Sequence, residues 1–122
     1  MLVARICAYY VSLRLALRRY PLPEIVARIA RTPPTSKTLA NPRRLGRIVA
    51  RVLRVGPWRA RCLHTSLVLL RLLREQGDEA DLVIGLPREP RDKDAHAWIE
   101  IDGADMGPPP GRGHHEEIAR YR

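Results

Sequence analysis

Arg61-Cys62-Leu63-His64-Thr65-Ser66-Leu67 is the stretch whose reading decides the fold: here an irregular segment becomes a long apolar helix with a thiol at its start. From residue 62 to 76 the apolar side chains Leu63, Leu67, Val68, Leu69, Leu70, Leu72 and Leu73 occupy most sides of that helix. A helix apolar on most sides is central and buried. Gly77 is a natural C-terminal stop. His96 follows 34 residues after Cys62, inside Ala95-His96-Ala97-Trp98-Ile99-Glu100-Ile101, whose alternation reads as a strand. The thiolate is the reactive form of cysteine, and helix N-terminal amides together with a nearby imidazolium favour it.

Working outward, Ala80 to Leu86 reads as a first strand and Pro87 to Asp94 as a charged loop. Asp102-Gly103 is a tight hairpin signal, returning through Ala104-Asp105-Met106. Gly107-Pro108-Pro109-Pro110-Gly111 breaks the sheet, and the tail from Glu116 to Tyr121 reads as a short helix. Upstream, helices are expected over residues 2–19, from Pro23 to Arg31, and over 42–55. The last is the clearest amphipathic pattern, with Leu45, Ile48, Val49, Val52 and Leu53 on one side and Arg43, Arg44, Arg47, Arg51 and Arg54 around the rest. Helices first, then one buried helix on a small antiparallel sheet, is an α+β layout. The chain divides into a basic helical region, residues 1–55, and a core, residues 56–122. Apolar faces over 2–17 and 45–53 are expected to be exposed and available for docking.

With 122 residues, the chain suits one compact domain plus accessory helix. Its aromatics are two Trp and four Tyr with no Phe, so the core is aliphatic. Cys7 and Cys62 stand far apart without metal-ligand spacing and read as reduced thiols of a cytoplasmic protein; no metal or cofactor is implied. Arg5 and Arg14 interrupt the apolar N-terminus, leaving no uncharged run near the ~20 residues a membrane span needs. An amphipathic helix there is compatible with weak contact at a membrane surface. The net charge of +9 is uneven: residues 1–61 carry 14 Lys/Arg against Glu24 alone, and residues 62–122 carry 8 against 12 acids. A basic half suggests that something acidic is held there, while the second half does the chemistry.

Thiol catalysis needs a base in hydrogen-bond reach and a group to orient that base. Cys62 is the candidate nucleophile and His96 the candidate base, with the Cys62 amide able to support an oxyanion. Asp102 shares strand parity with His96 but lies six residues on, roughly 20 Å along an extended strand at ~3.3 Å per residue. Asp105 would pair opposite Glu100. Trp58, four residues before Cys62, and Trp98, on the face of His96, are candidates to line the site; Trp58 could lend its indole N–H to an oxyanion. His64 reads as a packing residue, and His114-His115 beside Glu116 as a solvated loop rather than a metal site.

These blocks resemble a known family. Trp58 to Gly77 is similar to its nucleophile helix, Leu82-Val83-Ile84-Gly85 to its first strand, and His96 to Gly103 to its histidine hairpin. The family is the transglutaminase-like cysteine peptidase that removes the leader from lasso-peptide precursors, and the resemblance covers residues 56–121. It implies a papain/transglutaminase-like core with a Cys-His-Asp triad, Cys62, His96 and Asp102, acting on a leader–core precursor peptide. It also implies, in the split form of the family, a separate leader-recognition protein and a macrolactam cyclase as partners. In the family the aspartate stands on the return strand; here that position, twelve residues after His96, is Pro108. Asp105, or a backbone carbonyl orienting His96, is therefore an alternative to Asp102. Two other functions compete. A non-catalytic nucleic-acid-binding module would use the basic half, although no recognition-helix motif or aromatic interleaving supports it, and no nucleic acid is expected as a partner. An acyl transferase would keep the thiol chemistry and pass the acyl group to an amine.

Overall fold

Prolines and an asparagine punctuate the first half of the chain. The computed structural model describes residues 2–34, 41–55, 61–87, 95–108 and 115–121. Helix α1 spans Leu2–Arg19, α2 Leu22–Ala30, α3 Pro42–Val55 and α4 Cys62–Glu75. Pro21, extended at φ −68° and ψ 154°, precedes α2. Asn41 caps α3, its Oδ1 accepting the Arg43 amide at 2.9 Å. Gly77, at φ 96°, ends α4, with the Asp78 amide donating back to the Leu73 carbonyl at 2.9 Å.

Four strands follow: β1 Asp81–Pro87, β2 His96–Ile101, β3 Ala104–Gly107 and β4 His115–Tyr121. They form one antiparallel sheet in the order β3-β2-β1-β4. Asp102-Gly103 is the two-residue turn between β2 and β3, with Ile101 opposite Ala104 and Glu100 opposite Asp105. The α+β layout read from the sequence is the observed one.

The tail is a correction. Glu116 to Tyr121 belongs to strand β4, not to a helix. A helix this short is marginal in water, because nucleation outweighs propensities of a few tenths of a kcal/mol per residue. The free edge of β1 offers a ladder instead, from Leu82 opposite Tyr121 to Pro87 opposite His115. Arg120 then reaches Asp81 at 2.8 Å and Glu100 at 2.9 Å, contacts that a local helix would forgo.

One hydrophobic cluster draws on both halves of the chain. Ile6, Tyr10 and Leu13 of α1, Ile25, Val26 and Ile29 of α2, and Leu45, Val49 and Leu53 of α3 pack around Leu67, Leu69, Leu70, Leu72 and Leu73 of α4. Leu82, Ala97 and Ile99 close it from the sheet. Each fully buried leucine contributes about 1.5–3 kcal/mol. The apolar sides of α1 and α3 are thus core, which corrects the expected exposure of both; Val3, Val11 and Leu15, elsewhere on α1, are exposed. At the far end of α4, buried Glu75 accepts hydrogen bonds from Arg5 and from the Tyr9 hydroxyl, tying α1 to α4. No described helix is long and apolar enough to cross a membrane.

Candidate active site

Cys62 occupies the first position of α4, after Arg61 in an extended conformation at φ −83° and ψ 163°. No side chain caps this end, so the amides of the first turn are left to act on the thiol. Beyond Ile99, the last β2 residue paired with β3, the edge of β2 is taken over by α4. The Ala97 amide donates to Cys62 Sγ at 3.4 Å, and Ser66 Oγ donates to the Ala97 carbonyl at 3.0 Å. Cys62 and Ser66 are one helical turn apart, so two side chains of one helix face clip a single residue of β2. That residue follows His96. The clip therefore holds the thiol and the imidazole close enough to shift one another's titration.

Both partners are shifted. Burial pushes the Cys62 thiol up, but the His96 hydrogen bond, the Ala97 amide and the His96 charge outweigh it, leaving the thiol below its ordinary range. Burial pushes the His96 ring down, but the hydrogen bonds to Cys62 and Pro108 and the charges of Cys62 and Asp105 outweigh it, leaving the imidazole above its ordinary range. These shifts favour a thiolate beside an imidazolium.

A backbone carbonyl meets the imidazole on its other side. His96 Nε2 lies 2.9 Å from the carbonyl oxygen of Pro108, which leaves Nδ1 for the thiol. A carbonyl can only accept, so Nε2 carries the proton. Two features of β3 bring that carbonyl into place. The β2–β3 register slips between Ile99 and Glu100, so Met106 is an extra residue in β3, and Gly107 turns the chain at φ 99°. Asp105 Oδ1 braces the turn by accepting the Gly107 amide at 2.7 Å.

The structure does not bring Asp102 to His96. Asp102 is exposed in the hairpin turn at φ 51°, lining a cleft with Arg74, Asp81 and Arg120. A positive φ suits Asp as a turn former. Asp105 acts on His96 through its charge, and the carbonyl takes the orienting position. The Trp98 ring stacks on His96 with centroids 6.1 Å apart and planes 21° apart. Its indole N–H is committed to Glu100 Oε2 at 2.8 Å. Trp58 and His114 lie outside the described residues.

His64 packs edge-on against Tyr10, with ring centroids 5.8 Å apart. Burial, then the charges of Arg14 and Arg61, push its pKa down. Among the described residues no group of three or more His, Cys, Asp or Glu could hold a metal ion.

Sequence reasoning missed Ser66, Gly46 and His115. Ser66 stands four residues after Cys62, a spacing that marks one helix face. Gly46 sits inside an otherwise strong helix, where glycine costs about 1 kcal/mol against alanine and so signals a close approach. His115, read from the sequence as part of a solvated loop, is instead buried at the start of β4; nothing local marks this, because its neighbours are brought by long-range strand pairing.

A family model described as the transglutaminase-like superfamily matches residues 7–120. No curated protein and no solved structure matches the chain.

Proposed function

The chain belongs to the transglutaminase-like superfamily, whose members are typically cysteine-based enzymes, and we propose that it is a cysteine peptidase that removes the leader from a lasso-peptide precursor. The observation that carries the reading is Cys62 at the start of α4, its Sγ held 3.4 Å from the amide of the residue after His96, with His96 Nε2 2.9 Å from the Pro108 carbonyl. In this reading Cys62 Sγ attacks the carbonyl carbon of the bond joining leader to core. The amides of the first turn of α4, that of Cys62 among them, stabilise the resulting oxyanion. His96 gives its proton to the departing amine as the C–N bond breaks, leaving a thioester on Cys62. It then takes a proton from the water that hydrolyses the thioester, returning the thiol and releasing the leader acid. The Pro108 carbonyl keeps the ring in one tautomer throughout.

The arginines of α3 supply the second part of the proposal. Arg43, Arg44, Arg47, Arg51 and Arg54 are exposed, and among the described residues none makes an ion pair. Arg44, Arg47, Arg51 and Arg54 line a groove of about 470 Å³ with Ile48 and Ala50. This face binds an acidic leader segment or the recognition protein that delivers it, with a cytoplasmic macrolactam cyclase taking the released core.

The test is cleavage of a leader–core precursor, with its recognition protein present, followed by mass spectrometry. Cys62→Ala is expected to abolish cleavage and His96→Ala to reduce it at least 10²-fold. Full cleavage by Cys62→Ala ends the reading. Because transglutaminase-like chemistry also passes acyl groups to amines, the same reaction run with an added primary amine separates hydrolysis from transfer: free leader acid supports the peptidase, an amide-linked leader the acyl transferase.

A further inference from the structure

His115 begins β4, on the opposite side of β1 from His96. Position 85 separates the two rows, paired with His96 on one side and Glu117 on the other. It is a glycine, and a Cβ there would lie 2.7 Å from the Trp98 ring and 2.8 Å from the Glu116 carbonyl. The missing side chain lets three rings meet across a strand. His115 is 6% exposed, with its ring centroid 5.1 Å from that of His96 and 6.0 Å from that of Trp98. Trp98 is fixed in turn by its bond to Glu100, itself 1% exposed and held by Arg120.

We infer that His115 is a positioning residue of this site: together with Trp98, which it also touches, it packs against the His96 ring and fixes the orientation in which that ring meets the Cys62 thiol. The inference rests on the reading of Cys62 and His96 as nucleophile and base. The physical case is that the other contacts to His96 leave one rotation open. The Pro108 carbonyl and the thiol grip the ring at its two nitrogens, which defines an axis but not the tilt about it. Faces packed against the ring define the tilt. Aromatic faces do so while also favouring the charged form, since an imidazolium is attracted to a π surface. The charged or titratable groups around His96 are Cys62 on α4, Asp105 on β3 and His115 on β4. This packing thus acts on the same ion pair as the Asp105 charge.

The test is the pH dependence of Cys62 alkylation by iodoacetamide, in a Cys7→Ser background, with circular dichroism and urea midpoints checking the fold. His115→Leu, which fills the space without an aromatic face, is expected to shift the profile to higher pH. It should also slow alkylation at pH 6 by roughly three- to tenfold, the span a well-placed aromatic pair supports. Leader cleavage should lose kcat to a similar degree with KM unchanged. His115→Phe restores a face and should stay within about twofold of the wild type. If His115→Leu does not fold, His115→Gln, polar and without a ring, takes its place with the same expectation. A Leu or Gln profile identical to wild type overturns the inference, as does a Phe variant as slow as Leu. A wild-type profile indifferent to His96→Ala would instead remove the nucleophile–base reading beneath it.

Discussion

Replacing glycine by alanine inside an exposed helix ordinarily stabilises a protein by about 0.5–1 kcal/mol. At Gly46 the sign should reverse. A Cβ there would stand 2.0 Å from the Met106 carbonyl oxygen and 3.4 Å from Leu69 Cδ2. Real Cβ contacts do not fall below 3.0 Å, so α3 and β3 must separate by at least 1.0 Å. Neither yields easily, since Leu45, Val49 and Leu53 anchor α3 in the core and β3 is paired to β2. Overpacking of this kind costs about 1–3 kcal/mol, and subtracting the propensity gain leaves a net loss of up to about 2.5 kcal/mol. The displacement also reaches the site. Met106 is two residues before Pro108, whose carbonyl lies 2.9 Å from His96 Nε2. If β3 takes up the full 1.0 Å, that separation becomes about 3.9 Å, beyond the ~3.2 Å of a hydrogen bond. Gly46→Ala should therefore lower the urea midpoint and shift Cys62 alkylation to higher pH, both measured in a Cys7→Ser background. A variant that gains stability and keeps the wild-type alkylation profile would refute the close approach of α3 to β3.

Removing Arg120 takes from buried Glu100 the guanidinium that holds its Oε1 at 2.9 Å, so Arg120→Met should destabilise by about 2–3 kcal/mol, discounted from the buried-pair range because Arg120 is 22% exposed. Urea unfolding checks it, and a change under 0.5 kcal/mol would contradict the reading. Asp105→Asn keeps an oxygen for the Gly107 amide but removes the charge that helps hold His96 protonated, so the imidazole should titrate lower and cleavage fall a few-fold. Asp102→Asn suits the same turn and should keep activity within twofold; a loss of 10²-fold or more would return Asp102 to the mechanism. Cleavage should follow a bell-shaped pH profile. Activity is lost as pH falls through the lowered thiol value, and again as it rises through the raised imidazole value. The contribution of His96 to stability follows the second limb: complete below the unfolded imidazole value of about 6.5, it fades as pH rises through the folded one.

Much of this molecule is legible along the chain because its signals are local. The apolar run from Leu63 to Leu73 can only be a buried helix, Gly77 can only end it, and Asp102-Gly103 between alternating segments can only turn a hairpin. Cys62 and His96 stand out for the same reason, each at the start of an element whose type its neighbours declare. The group that meets His96 was legible only as one alternative among Asp102, Asp105 and a backbone carbonyl. A side chain can be sought by residue type, but the oxygen that meets His96 belongs to the backbone, and every residue has one.

The sequence by itself determined the element order as far as β3, the α+β class, the aliphatic core and the pair of residues that could do thiol chemistry, since these follow from periodicity, turn residues and charge within a few positions. Only the tertiary structure decided that the tail completes the sheet, that a slipped register and Gly107 carry the Pro108 carbonyl to His96, and that Gly85 opens the space where His115 and Trp98 meet it. Those outcomes depend on which strand edges are left unpaired and on how closely backbones approach. Both are set by long-range packing energies larger than any local preference.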